Sequence, residues 1–227
     1  MGLLPEIYSE YIGLWLPELL YSALLTLQIG ASSFLLAVVI GLAFALLRQS
    51  RSRVGRAVAV TYIEIVRGLP IVALLYIVYF VPPQLFPGTD WKKFSTFVGA
   101  VVGLGIHGSA ILAEVFRSGI EALHSGQSEA ALALGMTPAK TMIYILAPQA
   151  ARIIVPPVAN YAIGLLKDTS LCTLIGANEL MNTAKSIAFA DYQPMAVFVL
   201  TAAIYFSVSF PLSVGVRYIE ARWHYGR

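Results

Sequence analysis

The chain has 227 residues, of which 58% are hydrophobic and only 12% charged, with a net charge of +3. Soluble domains carry about 25% charged residues, so the composition excludes an ordinary water-soluble fold and implies an integral membrane protein. The small positive balance gives no ground for a nucleic-acid partner, and the single cysteine, Cys172, excludes an internal disulfide and a multi-cysteine metal centre.

Residues 1–17 hold Glu6 and Glu10 but no Lys or Arg, so they lack the positive start of a secretory leader. The apolar run from about Leu19 to Leu47 is therefore expected to be an uncleaved span. It exceeds the ~20 residues needed to cross, so part of it tilts or lies in the interface. Trp15, Trp91 and Trp223 read as interfacial aromatics. Arg48, Arg51, Arg53 and Arg56 follow as a basic anchor, and a second span is predicted over about Ala57–Val81, ending at Pro82-Pro83. The third, about Phe94–Phe116, contains Gly99-x-x-x-Gly103, a pattern for close helix packing. In the fourth, Thr141–Leu166, Pro148, Pro156 and Pro157 predict a bent span, followed by a non-helical or half-helical segment from Lys167 to about Asn182. The fifth runs from about Pro194 to Val216.

Such spans put Arg48, Arg51, Arg53, Arg56, Arg117, Lys140, Arg217, Arg222 and Arg227 on one side, against Lys92, Lys93 and Lys185 on the other. The excess of basic residues marks the cytoplasmic side, which predicts the N-terminus outside and the C-terminus inside. No repeat or linker divides the chain, so 1–227 is read as a single transmembrane domain.

Between the third and fourth spans lies RSGIEALHSGQSEAALALGMTPAKTMIYILAPQA, residues 117–150. It spells a compact helix–turn–helix. Ser125 or Ser128 can cap a short helix with the body Glu129-Ala130-Ala131-Leu132-Ala133-Leu134, and Gly135 stands where a left-handed residue ends it. Thr137 can cap a second helix with Pro138 at its first position, where a missing N–H costs nothing. The small side chains of the first helix let its backbone approach a partner closely, as a docking element requires.

Glu129-Ala130-Ala131, with Gly135, Ile145 and Pro148 at their offsets, resembles the EAA loop of permease subunits of ABC importers. One departure is Ala147, where that family usually has Leu. Tyr62-x-Glu64-x-x-Arg67-Gly68-x-Pro70 and the run from Asn160 through Leu165-Leu166-Lys167-Asp168-Thr169-Ser170-Leu171 resemble its polar amino-acid (histidine, glutamine, arginine, opine) branch. Ala113–Gly119 and Gly126-Gln127 extend the likeness over most of residues 20–220.

The resemblance implies an all-α, five-transmembrane-helix type I ABC importer (MetI-like) permease fold in the bacterial cytoplasmic (inner) membrane. It also implies partners: two ABC ATPase subunits, a second permease subunit, identical or homologous, a periplasmic or extracellular substrate-binding protein, and an amino-acid substrate. In that family the short helix is the coupling helix, so Gln127, Glu129, Ala130, Ala131, Leu134, Gly135 and Met136 are the expected ATPase-coupling residues. The sequence has no GxxxxGK[ST] run to cradle phosphates, so no cofactor is expected on this chain, and ATP and Mg belong to the ATPase partners. The chain is not expected to be catalytic alone.

Ionised residues at membrane depth are costly unless they pair or face water, which makes them candidates for the substrate path. Glu64 and Arg67 are one helical turn apart, so an internal ion pair and a place on the path are both open, and Gly68 and Pro70 predict a bend beside them. Lys167-Asp168-Thr169-Ser170 supplies a cation, an anion and two hydroxyls in succession. An amino acid needs an acceptor for its α-ammonium and donors for its carboxylate, and a helix N-terminus aimed at the carboxylate would add a favourable dipole. Alternatively, Asp168 and Thr169 cap the next helix while Lys167 snorkels outward. Asn160 is close enough in sequence to add an amide. His107 reads as a hydrogen-bonded core or path residue, and Glu114 with Arg117 as a pair across one turn.

Other readings are the same architecture carrying an opine, another amino-acid derivative or methionine, and, remotely, an intramembrane enzyme using His107, Glu114 and Asp168. No nucleophile–base spacing supports the latter. A passive channel would leave the docking loop without a task.

Overall fold

A computed structural model describes residues 4–88, 94–123 and 125–224. Trp91, Lys92, Lys93, His124 and Arg227 lie outside the described residues.

The regular elements among the described residues are helices, the form in which a chain in lipid satisfies its backbone groups within itself. The first, α1 (Leu4–Arg48), is 45 residues long. At 1.5 Å per residue it reaches roughly 67 Å, about twice the hydrocarbon core, so its first turns extend well beyond the span expected from Leu19.

The second span is not one rod. It consists of α2 (Arg53–Gly68) and α3 (Ile71–Leu85), which cross at 105°. Ser52 Oγ caps α2 by accepting from the Gly55 N–H at 3.2 Å. Leu69 is extended (φ −93°, ψ 137°), as the ring of the following Pro70 demands, and there the helix stops. Among the described residues, four continuous helical runs are long and apolar enough to cross a membrane, or five when the bent pair is taken as one span.

At the centre stands α4 (Thr96–Glu121), packed against α1, α2 and α3. Its glycines admit bulky neighbours: Tyr79 lies over Gly99 and Leu75 over Gly103, where a Cβ would come within 2.7 Å of Leu75 Cδ2. The close packing expected of that glycine pair is therefore made on α3.

The helix–turn–helix is formed by α5 (Ser125–Ala133) and α6 (Pro138–Thr141). Because α5 already runs from Ser125, Ser128 lies within it rather than capping it. At its end Gly135 takes φ +81°, its N–H donates to Leu132 O at 2.9 Å, and the Met136 N–H donates to Ala131 O at 3.1 Å. These paired bonds are the Schellman arrangement. Thr137 Oγ1 caps α6 by accepting from the Lys140 N–H at 3.4 Å.

Pro156 and Pro157 do not end the fourth span: α7 (Ala147–Asp168) runs through both. The disturbances lie at its ends. Ahead of Pro148 the chain widens to a π-helical turn, Met142–Leu146, relieving the clash between a proline ring and the carbonyl four residues back. After Asp168 it tightens to a 3-10 helix, Thr169–Ile175, and turns at Gly176 with φ +73°. Two further helices follow, α8 (Leu180–Ala190) and α9 (Pro194–His224).

The two ends of the bundle differ. At one, Arg48 of α1 pairs with Glu114 of α4, Glu114 also pairs with Arg117 at 2.8 Å, and Arg117 pairs with Glu121. The expected Glu114–Arg117 pair is thus the middle of a chain of four charges that leads to α5. At the other end, Trp15 Nε1 donates to Asp191 Oδ2 at 2.6 Å and ties α1 to the turn between α8 and α9. Trp15 is buried, so its ring packs within the bundle rather than facing outward.

Candidate functional site

The helix α5 is small-sided and uncovered by its own chain. Gln127, Glu129, Ala130 and Gly135 are exposed, and Leu134, an apolar residue, is 84% exposed. Ala131 alone among the expected coupling residues is buried, at 5%, and Met136 is half-buried. These two face inward and seat α5, while the other five form its outer edge.

From α5 one continuous helical run, Pro138–Ile175, leads to the second group of candidate residues. Pro138 and Asp168 are roughly 45 Å apart along it. There successive side chains take different directions, because a helix turns about 100° per residue. Lys167 and Ser170 line a groove of about 510 Å³ that runs along α9. Phe198, Phe206 and Phe210 wall it together with Thr201, Tyr205, Ser209 and Ser213, and its lining is mainly apolar. Thr169 is fully buried and its hydroxyl donates to Leu166 O at 2.7 Å. Asp168 makes no side-chain cap to the 3-10 helix, so capping does not account for it. Unlike Lys167, it is not among the residues that line the groove.

Other expected path residues lie apart from this group. Glu64 and Arg67 are both exposed on α2, and no ion pair joins them. Asn160 donates from Nδ2 to Glu220 Oε1 of α9 at 2.9 Å, away from the groove-lining residues. Glu114 is held at the α5 end by Arg48 and Arg117, so it does not converge with His107 and Asp168 as an active-site trio would require.

One buried charged residue beside the groove was not singled out by the sequence. Glu179 is fully buried; its carboxylate accepts from the N–H groups of Met181 at 2.9 Å and Asn182 at 2.7 Å, and from Tyr205 Oη at 3.0 Å. Burial pushes its carboxyl above the usual range, with these hydrogen bonds pulling the other way. The next N–H, of Leu180, donates to Thr26 Oγ1 of α1 at 3.0 Å. Glu179 therefore knots α1, α8 and α9 beside the groove. A glutamate preceding Leu180 as helix cap was the available hint, but its partners are distant in sequence.

Residues 12–225 match the family model described as a binding-protein-dependent transport system inner membrane component. The probable amino-acid ABC transporter permease protein YckA of Bacillus subtilis is 36% identical over 201 residues, covering 88% of this chain and 87% of that protein. The glutamine transport system permease protein GlnP of Escherichia coli is 32% identical over 215 residues, covering 94% and 97%. Among solved structures, that of an amino acid ABC transporter with histidines superposes with a TM-score of 0.86 at 32% identity, over 93% of this chain and 97% of that one. An inward-facing MetNI methionine ABC transporter, at 18% identity and a TM-score of 0.64 over 92% and 98%, shares the fold.

Proposed function

This chain belongs to the family of binding-protein-dependent transport system inner membrane components, and from that premise we propose that it carries polar amino acids through an ATP-driven importer. It is a multi-pass permease subunit of the bacterial inner membrane. The amino-acid reading is supported by the relatives named for glutamine and arginine transport. In this reading a substrate-binding protein delivers the cargo from outside. A second permease completes the path, and two ATPase subunits bind ATP and Mg and hydrolyse it. The N-terminus lies outside and α5 inside, on the grounds of the basic residues gathered at the α5 end.

The observation that carries the proposal is the outer edge of α5. Leu134, 84% exposed at the tip of a helix with almost no side-chain bulk, fits a groove in an ATPase subunit. ATP-driven closure would push α5, which rests through Ala131 on the run Pro138–Ile175. That run carries the motion to Lys167, Asp168 and Ser170, where the substrate passes. Lys167, which lines the groove, suits a carboxylate, and the adjacent Asp168 suits an α-ammonium.

The test is uptake of labelled glutamine, arginine and histidine into proteoliposomes holding the whole complex. Leu134→Glu would put a charge into the ATPase groove and should lower ATP-driven uptake at least tenfold, about 1.4 kcal/mol or more of lost docking, with the permease still folded. Unchanged uptake in that variant would remove α5 from the coupling role.

A further inference from the structure

The right angle between α2 and α3 separates two helices that meet the bundle differently. α3 runs lengthwise along α4, with Leu75 over Gly103 and Tyr79 over Gly99. α2 instead crosses the bundle near its charged end. Leu47 of α1 lies against Gly55, and the ring of Phe44 stacks on that of Tyr62 with centroids 3.9 Å apart. Between those two contacts α2 advances by about 10 Å while α1 is followed for only about 5 Å, so the helices are steeply inclined. At Tyr62 the helix has reached α4, where the hydroxyl meets Ser109 Oγ at 2.6 Å. All of this lies within about two turns of Arg48 and Glu114, the pair that closes this end.

Each residue turns a helix by about 100°, which sorts the side chains of α2 onto three faces. Ala59, Ile63 and Val66 are buried against the bundle. Val54, Val58 and Ile65 form an apolar stripe that the described residues leave uncovered, 74%, 52% and 58% exposed. Arg53, Arg56, Glu64 and Arg67 form an exposed charged face, about 140° round the helix from that stripe. No ion pair engages it among the described residues, and Arg56 donates to Ser50 O at 3.3 Å. Standing upright in a bilayer, α2 would send both exposed faces sideways into hydrocarbon, with four charged groups on one of them at high cost. Laid across the bundle, it can turn one face to the acyl chains and the nearly opposite one to headgroups and water. An amphipathic helix with arginines on its polar face is of the kind that settles in a membrane interface. Three arginines to one glutamate, with Arg51 just ahead, favour an anionic headgroup over a zwitterionic one.

We propose that α2 lies in the plane of the inner leaflet and binds anionic phospholipid. Arg53, Arg56 and Arg67 hold headgroup phosphates, while Val54, Val58 and Ile65 enter the acyl boundary. The 15 residues of α3, roughly 22 Å, then make the crossing. The 5–10 Å to which an interfacial helix sinks supplies about the rest of a ~30 Å core. Glu64 and Arg67 accordingly belong to the lipid-facing surface and not to the substrate path. The leaflet named rests on the reading that places α5 inside.

Two measurements on the complete complex in lipid nanodiscs test it. In the first, Val54→Cys, Val58→Cys and Ile65→Cys are spin-labelled in turn, and depth is read from collisions with oxygen against those with a water-soluble nickel chelate. The three depths should agree within about 5 Å. An upright helix would spread them over about 16 Å, and that spread overturns the proposal. Labels screened from both oxygen and nickel would mean that a protein partner covers the stripe, which overturns it equally. The second measurement offers photoreactive phosphatidylglycerol and phosphatidylcholine in equal amounts. Crosslinks to residues 51–67 should favour phosphatidylglycerol at least threefold, and Arg53→Gln with Arg56→Gln should abolish the preference. Equal capture of the two lipids by the wild type, or a preference that survives the substitutions, overturns the proposal. Should that variant fail to assemble, the wild type in about 1 M salt decides, because a preference due to charge is screened there. Neither measurement depends on uptake, so a failed Leu134→Glu test leaves both standing. Reaction of Leu134→Cys with an impermeant maleimide added outside the cell would overturn the α5 reading and the leaflet named, while the depths still decide how α2 lies.

Discussion

Two short helical interludes separate long spans in this protein, and they are held in opposite ways. One is α5, which shows its outer edge to the surroundings and seats itself through Ala131. The other runs from Thr169 through α8 and is held from several sides: Thr169 to Leu166, Leu180 to Thr26, Glu179 to Tyr205. An interlude whose polar groups are satisfied within its own chain needs no partner to hold them. One that leaves Leu134 and the small face of α5 uncovered does. The contrast separates a part built to be gripped from a part built to stay fixed while the grip moves.

The sharpest way to break the contrast is at Gly135. Its φ of +81° lies in the left-handed region, and nothing lies within 4 Å of a Cβ placed there, so the cost of a side chain is backbone strain rather than collision. Gly135→Val should distort the end of α5, and ATP-driven uptake should fall by more than tenfold while the rest of the bundle keeps its thermal stability. Gly135→Asn should retain most of the activity, since asparagine tolerates that region. Equal uptake in the two variants would show that the left-handed turn does not set the docking geometry.

The fixed interlude should respond in the reverse sense, through stability first. Glu179→Ala leaves two backbone N–H groups and the Tyr205 hydroxyl without their acceptor in a buried place. Each orphaned buried donor costs about 1–3 kcal/mol, and some relaxation is available, so a loss of roughly 2–4 kcal/mol is expected in thermal unfolding of the assembled complex. A Tm unchanged from wild type would mean the knot is not what holds α8.

What the sequence disclosed follows from how local each feature is. The end of α5 was legible because Gly135, Thr137 and Pro138 act through bonds within a few residues of themselves. The spans were legible from composition, since a 26-residue run such as α4 has one workable conformation in lipid. Pro156 and Pro157 misled for the same reason: a helix in lipid absorbs a lost bond rather than expose a whole turn, so α7 continues. The neighbours Lys167 and Asp168 were read as one cluster, but in an unbroken helix only Lys167 of the two lines the groove. Trp15 and Glu179 were illegible because their partners are remote, Asp191 at a separation of 176 residues and Tyr205 at 26.

A finer test of the same knot uses pH. Because burial holds the Glu179 carboxyl above its usual range, its protonated form is favoured by folding. That contribution is fully present below the ordinary glutamate value of about 4.3 and is lost as pH rises through the raised one. A glutamine has the same shape and one carbonyl acceptor but no proton to lose. Glu179→Gln should therefore sit furthest below wild type in Tm at acid pH and gain on it as pH rises toward neutrality, the opposite of what a carboxylate stabilised by its charge would give. A gap between the two that widens with pH would mean that the donors from Met181, Asn182 and Tyr205 outweigh burial, and that Glu179 grips α8 as an anion.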